Sequence, residues 1–183
     1  NGTELRTVRQ SLFLSVAEAA KINGVRERVY RYWEAGEWIV PEDVEARMLQ
    51  LDDAADTIAD NISTACKHRT DRTRQPVLYR FNSDEDLWAM TVRTIFNEHL
   101  HDLPASVYAA GIDRARQDIK RDGEAVRIVT MDRDAYAAWL REQDRVDTAL
   151  ARQQWARTVT DPPTRAKKLA QASGEENHTQ ASG

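Results

Sequence analysis

The sequence predicts a mainly α-helical chain with a small α+β portion and a disordered tail. Three observations carry this prediction. Apolar residues recur at three- and four-residue steps through most of the chain before Thr160, which is the period of an amphipathic helix. Only two short runs, Pro76–Phe81 and Ala125–Met131, concentrate β-branched and aromatic residues enough to read as strands. After Thr160, Asp161-Pro162-Pro163 opens a stretch of Lys, Gln, Ser, Gly, Glu and Asn with almost nothing apolar, and such a composition cannot bury a core.

At 183 residues the chain is long enough for one ordinary domain or two small ones. A hydrophobic fraction of 41% suffices for a packed core, and 31% charged residues indicate a soluble protein. No apolar run approaches the ~18 residues of a membrane helix. The polar start, Asn1-Gly2-Thr3-Glu4, lacks a secretory pattern. The single cysteine, Cys66, excludes an internal disulfide framework and fits a reducing cytoplasm.

The elements follow in order. Leu5, Val8 and Leu12 place a first helix over Thr3–Phe13, with Arg6 and Arg9 on its wet side. Ser15-Val16-Ala17-Glu18 is a capping box that opens a second helix running to about Ile22. Ala17 and Ala20 are small enough for a close helix crossing. Asn23-Gly24 breaks that helix, and a third begins at Val25, with Val29, Tyr30 and Trp33 turned inward and Gly36 stopping it. Trp38-Ile39-Val40 reads as an apolar connector folded back onto the core. Pro41 then opens a long helix whose first turn carries Glu42, Asp43 and Glu45. Its apolar positions are Val44, Met48, Leu51, Ala55, Ile58, Ile62 and Ala65. That stripe marks either a helix–helix seam, including one between two copies of the chain, or one amphipathic helix closing the N-terminal domain.

A polar, basic stretch from Lys67 reads as a linker. The strand at Pro76–Phe81 is followed by helices over about Asp84–Leu100 and Ala105–Arg121, then by the second strand. A final helix reaches about Val159, with Tyr136, Trp139, Leu140, Val146, Leu150 and Trp155 as its apolar positions. Two strands alone make a marginal sheet, so pairing with a second chain is expected. The resulting division is a five-helix N-terminal domain at 1–66, a linker at 67–75, an α+β domain at 76–159 and a tail at 160–183.

Charge is distributed unevenly. The net is −4, but residues 1–40 hold six bases against five acids, 41–66 hold one against seven, and 67–80 hold five against one. Local fields matter more for a charged ligand than the total. The third helix is apolar behind, arginine-rich in front and preceded by a glycine turn, as a helix entering a DNA major groove requires.

Several residues then resemble a known group. Arg9, Leu14-Ser15, Ala17, Ala20, Gly24-Val25, Trp33-Glu34, Gly36 and Pro41 fall in the register of the Xre/Cro-type helix-turn-helix regulators. More closely, four segments resemble the YdiL-like group, which includes anti-CRISPR-associated (Aca-type) phage repressors. These are Glu4-Leu5 with Arg9, Val16-Ala17-Glu18-Ala19-Ala20, Tyr32-Trp33-Glu34-x-Gly36 and Val40-Pro41-x-Asp43-Val44-Glu45. The resemblance covers residues 2–52, extends loosely to Val77–Phe81 and does not reach 82–183. It implies a homodimeric repressor that binds an inverted repeat at its own promoter and dimerises through its C-terminal part. It also implies that Glu34 helps fix the end of the third helix. Where many Xre-type proteins carry a phosphate-contacting Gln early in helix two, this chain has Val16.

On this reading Arg26, Glu27, Arg28, Arg31 and Tyr32 are the candidate base contacts. Arginine forks onto guanine O6 and N7, and a glutamate can accept from cytosine N4. Arg6, Arg9 and Lys21 are candidate phosphate contacts, with Arg9 equally readable as a partner for Glu34 or Glu18. Lys67, Arg69, Arg72 and Arg74 either track a backbone or are simply solvated.

No cofactor is expected and no metal site. His99 and His101 sit two apart and so face opposite sides of a helix, and Asp84, Glu85 and Asp86 merely open one. No phosphate loop or nucleophile motif appears, so enzyme chemistry has no foothold. The leading reading is a double-stranded-DNA-binding repressor. A protein-interaction adaptor, favoured by the acidic 41–66 helix, and an RNA binder using the same basic face are the alternatives.

Overall fold

The computed structural model describes residues 1–70, 72–91 and 103–160. His99, His101 and the tail from 161 onward lie outside these residues, as does the last part of the helix expected to reach Leu100. Among the described residues the chain is mainly α-helical, with eight helices and one two-stranded parallel sheet.

The order is α1 (Gly2–Ser11), α2 (Val16–Ile22), α3 (Glu27–Ala35), α4 (Glu42–Lys67), β1 (Val77–Arg80), α5 (Asp84–Thr91), α6 (Ala105–Arg121), β2 (Arg127–Thr130), α7 (Arg133–Glu142) and α8 (Ala149–Thr160). Four helices, not five, precede residue 68, because the chain between α3 and α4 turns and connects without forming a further helix. The expected connector packing is also only partly right. Val40 joins the core, while Trp38 is half exposed and Ile39 is 93% exposed.

The described residues form two compact units, one from Asn1 to Thr130 and one that begins at Met131. The expected boundary after residue 66 does not appear, for a packing reason. Helix α6 lies along α4, so the second half of the first unit is sewn onto the long helix rather than tethered to it. Gly111 marks a close approach: a Cβ there would stand 2.8 Å from Ile58 Cβ and 2.9 Å from the Ala55 carbonyl oxygen. Val107 and Ala110 of α6 enter the same core as Val44, Met48, Ala55 and Ile58. The apolar stripe of α4 is therefore covered within the chain, which is the helix–helix seam without a second copy. Ala65, the last position of the stripe, is exposed.

Charged groups reinforce the α4–α6 contact. Arg114 donates to Asp52 Oδ1 at 2.5 Å and to Asp56 Oδ1 at 2.6 Å. Part of the acidic character of the 41–66 segment is thus spent inside the unit. The basic stretch after α4 is tied down as well. Lys67 pairs with Asp122 (3.1 Å) and Arg69 with Glu124 (2.5 Å).

The two strands pair in parallel, Val77 opposite Arg127 through Arg80 opposite Thr130. Parallel pairing needs a long crossover, which α5 and α6 supply. Leu78 from β1 packs with Ala59 of α4 and Ile112, Ala115 and Ile119 of α6 in a second cluster. Asp84 caps the crossover, its Oδ1 accepting from the Ala105 amide at 2.7 Å.

The second unit is a helical pair rather than the single helix expected to reach Val159. Asp144 adopts a left-handed backbone (φ 46°) and ends the run, and the Thr148 hydroxyl restarts it by accepting from the Ala151 amide. Tyr136 is buried between Trp139 and Trp155, with ring centres 6.2 and 5.7 Å away. Its hydroxyl donates to Asp147 (2.7 Å), which also accepts from Arg152 (2.8 and 2.6 Å). Burial pushes the Tyr136 phenol up from its ordinary pKa, and its bond to Asp147 pushes it further.

Candidate nucleic-acid interface

Caps at the start of α2 and at the end of α3 frame the segment that presents the candidate contacts. Ser15 and Glu18 close the predicted capping box at the start of α2: the Glu18 amide donates to the Ser15 hydroxyl (3.1 Å) and the Ser15 amide to the Glu18 carboxylate (2.8 Å). A tight turn through Asn23, with Gly24 left-handed at φ 65°, then delivers the chain to α3. At the far end Gly36 is left-handed (φ 75°). The Gly36 amide bonds to the Trp33 carbonyl and the Glu37 amide to the Tyr32 carbonyl, both at 3.0 Å. This is a Schellman ending, which satisfies two carbonyls that the helix leaves free.

The inner face of α3 is fixed by bulk and by one ion pair. Tyr30 and Trp33 are buried, edge to face, 5.9 Å apart, and Val29 packs against the same core. Glu34, with a side chain only 5% exposed, receives Arg9 from α1: Nε donates to Oε1 at 2.6 Å and Nη2 to Oε2 at 3.3 Å. Arg9 Nη1 donates to the Leu14 carbonyl at 2.8 Å. Arg9 thus makes the intradomain pair with Glu34 that was its alternative to a phosphate contact, with its guanidinium engaged on every nitrogen and 12% exposed. Arg6 reaches the same carboxylate more loosely, at 3.7 Å, and keeps half its side chain in solvent.

The outer face carries the remaining candidates. Arg26 is the residue before the first turn of α3 rather than within it, extended and with no side-chain capping bond. Glu27, Arg28 and Arg31 are exposed and Tyr32 is half-buried. Glu27 and Arg31 pair across one turn at 3.2 Å. Arg28 Nε donates to the Tyr32 hydroxyl at 2.6 Å, its guanidinium carbon 5.4 Å from the ring centre. Lys21, at the end of α2, is also exposed. The structure thus brings Arg26, Glu27, Arg28, Arg31 and Tyr32 onto one outward surface, with Lys21 and Arg6 on neighbouring helices.

Sequence reasoning missed Trp38. Its ring lies 4.9 Å from that of Tyr32, brought there by the chain reversal at Gly36. The signal was present: an apolar residue just beyond a helix-ending glycine commonly packs back on the last turn.

The sequence matches the Aca2/YdiL-like family over residues 1–115. The chain belongs to the Aca2/YdiL-like family. The matched region ends within α6, so family membership covers the helical core, α3 and the first strand. Among curated relatives, the Aca2 repressor of Pectobacterium phage ZF40 is 49% identical over 49 residues. That alignment spans 26% of this chain and 42% of the relative. Among the described residues no helix is long and apolar enough to cross a membrane.

Proposed function

We propose that this member of the Aca2/YdiL-like family is a sequence-specific, DNA-binding transcriptional repressor whose α2–turn–α3 segment acts as a helix-turn-helix. The observation that carries the reading is the outer face of α3. Arg28 and Arg31 stand exposed on a short helix, with Arg26 exposed just before its first turn, and the back of the helix is held by Tyr30, Trp33 and the Arg9–Glu34 pair. A rigid helix with a cationic outer face and a glycine turn behind it fits a major groove. The name of the phage relative, a repressor, supports the same assignment. Arg28 and Arg31 would read base edges, while Arg6 and Lys21 would hold phosphates and set salt dependence.

The protein would act in the cytoplasm as a homodimer. Two α3 helices would occupy successive major grooves on an inverted repeat at the promoter of its own operon, excluding polymerase. The C-terminal unit is assigned the dimer contact, supported by its exposed Val146, Leu150 and Val159.

Selection of bound duplexes from a random DNA pool tests this directly. An inverted repeat with half-sites about one helical turn apart is the expected product. Recovery of no preferred duplex, with an RNA hairpin or a protein partner bound instead, would overturn it.

A further inference from the structure

We propose that Tyr32 and Trp38 are positioning residues that fix how Arg28 presents itself to a base. The inference rests on the DNA-binding reading above. Three side chains form a stack running from the end of α3 back to its first turn. The Trp38 ring packs on the Tyr32 ring at 4.9 Å, tilted by 40°. The Tyr32 hydroxyl accepts from Arg28 Nε at 2.6 Å, and the Arg28 guanidinium carbon lies 5.4 Å from the Tyr32 ring centre.

A guanidinium has two forks that match guanine O6 and N7: a side fork of Nε with one Nη, and an end fork of both Nη groups. The bond to Tyr32 occupies Nε, so the side fork is closed and only the end fork faces outward. An unrestrained arginine loses rotamer freedom when it binds, whereas one already held by a ring and a hydroxyl loses less. Trp38 completes the arrangement by limiting the movement of the Tyr32 ring. This accounts for a half-exposed tryptophan next to the outer face of α3. The adjacent Arg31 is held differently, by Glu27, whose carboxylate offsets its charge. Arg28 is thereby preset in direction by uncharged partners that leave its charge intact, and is the expected reader of a guanine.

The test has two arms. In the free protein, the Arg28 Nε–H resonance should be shifted and protected from exchange, and Tyr32→Phe, which keeps the ring and removes the acceptor, should abolish that protection. In the second arm, the duplex selected from a random pool by the wild-type protein is substituted one base pair at a time. The guanine read by Arg28 is the position at which Arg28→Ala no longer discriminates. Wild type should prefer guanine there by about tenfold or more. Tyr32→Phe and Trp38→Ala should each reduce that preference by about threefold or more at that position, and Trp38→Phe should restore it.

Full guanine preference in Tyr32→Phe would overturn the proposal, as would an unprotected Nε–H in the wild type. Failure of the wild-type protein to select any duplex would instead overturn the DNA-binding reading itself, and the proposal with it.

Discussion

Arg9 donates from Nε to Glu34 Oε1 at 2.6 Å, joining α1 to the last turn of α3 in a contact almost closed to solvent. The pair sets the angle at which α3 leaves the core, and so the direction in which its arginines point. A charge deprived of its partner in such a place is costly, on the order of 3–5 kcal/mol. Arg9→Ala is expected to lower unfolding stability by up to about that amount, because it leaves the Glu34 carboxylate with only the loose Arg6 contact at 3.7 Å. Replacing both residues together should cost less than Arg9→Ala alone. Chemical denaturation of the two variants measures this, and near-wild-type stability of Arg9→Ala would show that the pair does not hold the helix.

The Tyr30 ring contributes to the core, whereas its hydroxyl is buried without a hydrogen-bond partner. Burial pushes this phenol up from its ordinary pKa, and the nearby Glu34 carboxylate adds to the effect. Removing an unsatisfied buried hydroxyl while keeping the ring is expected to be neutral or to stabilise by about 1 kcal/mol. Tyr30→Phe should therefore melt at or above the wild-type temperature. A clear loss of stability would mean that the hydroxyl is bonded in solution.

At Gly111, α6 comes close to α4. A methyl there meets Ile58 and the Ala55 carbonyl at distances that real side chains avoid. Alanine is a better helix former than glycine by up to about 1 kcal/mol, but overpacking typically costs about 1–3 kcal/mol. Gly111→Ala should lower the melting temperature on balance. A rise would indicate that the two helices separate easily, contrary to a first unit running through Thr130.

Glu18 links α2 to α6, accepting from the Ser106 hydroxyl at 2.8 Å as well as from the Ser15 amide. Burial acts to raise its pKa, yet the bonds from Ser15 and Ser106 outweigh it and hold the carboxyl below its ordinary value of 4.5. A folded-state pKa that is depressed stabilises the fold above the unfolded value and ceases to do so as the pH falls through the folded one. Thermal unfolding below pH 4.5 should thus fall less steeply in Glu18→Gln than in wild type. Identical acid limbs would remove Glu18 from the account.

Several of these features were legible in the residues themselves, and the reasons are local. Ser15 with Glu18, the left-handed Gly36 and Pro41 before α4 act within a turn of their own positions, so their geometry follows from sequence. The periodicity of α4 likewise revealed an apolar face. It did not reveal that α6 covers that face, because periodicity shows that a partner exists without identifying it. Arg9 could reach Glu18 or Glu34, and only the placement of α1 against α3 selects Glu34. Trp38 was assigned to the core for its apolarity, although its position is set by the reversal at Gly36 and by the Tyr32 ring. The break at Asp144 lacks a glycine or proline and depends on the Asp147 bonds to Tyr136 and Arg152 across the turn.

The claim that α3 reads DNA is tested most directly by titrating Arg28→Ala and Arg31→Ala against the duplex selected by the wild-type protein, alongside their thermal unfolding. Both side chains are exposed and make only surface contacts within α3, so melting temperatures should stay within about 2 °C of wild type. Affinity should fall by about tenfold or more for Arg28→Ala, with a smaller loss for the Glu27-paired Arg31. Wild-type affinity in both variants would contradict the assignment of this face to DNA.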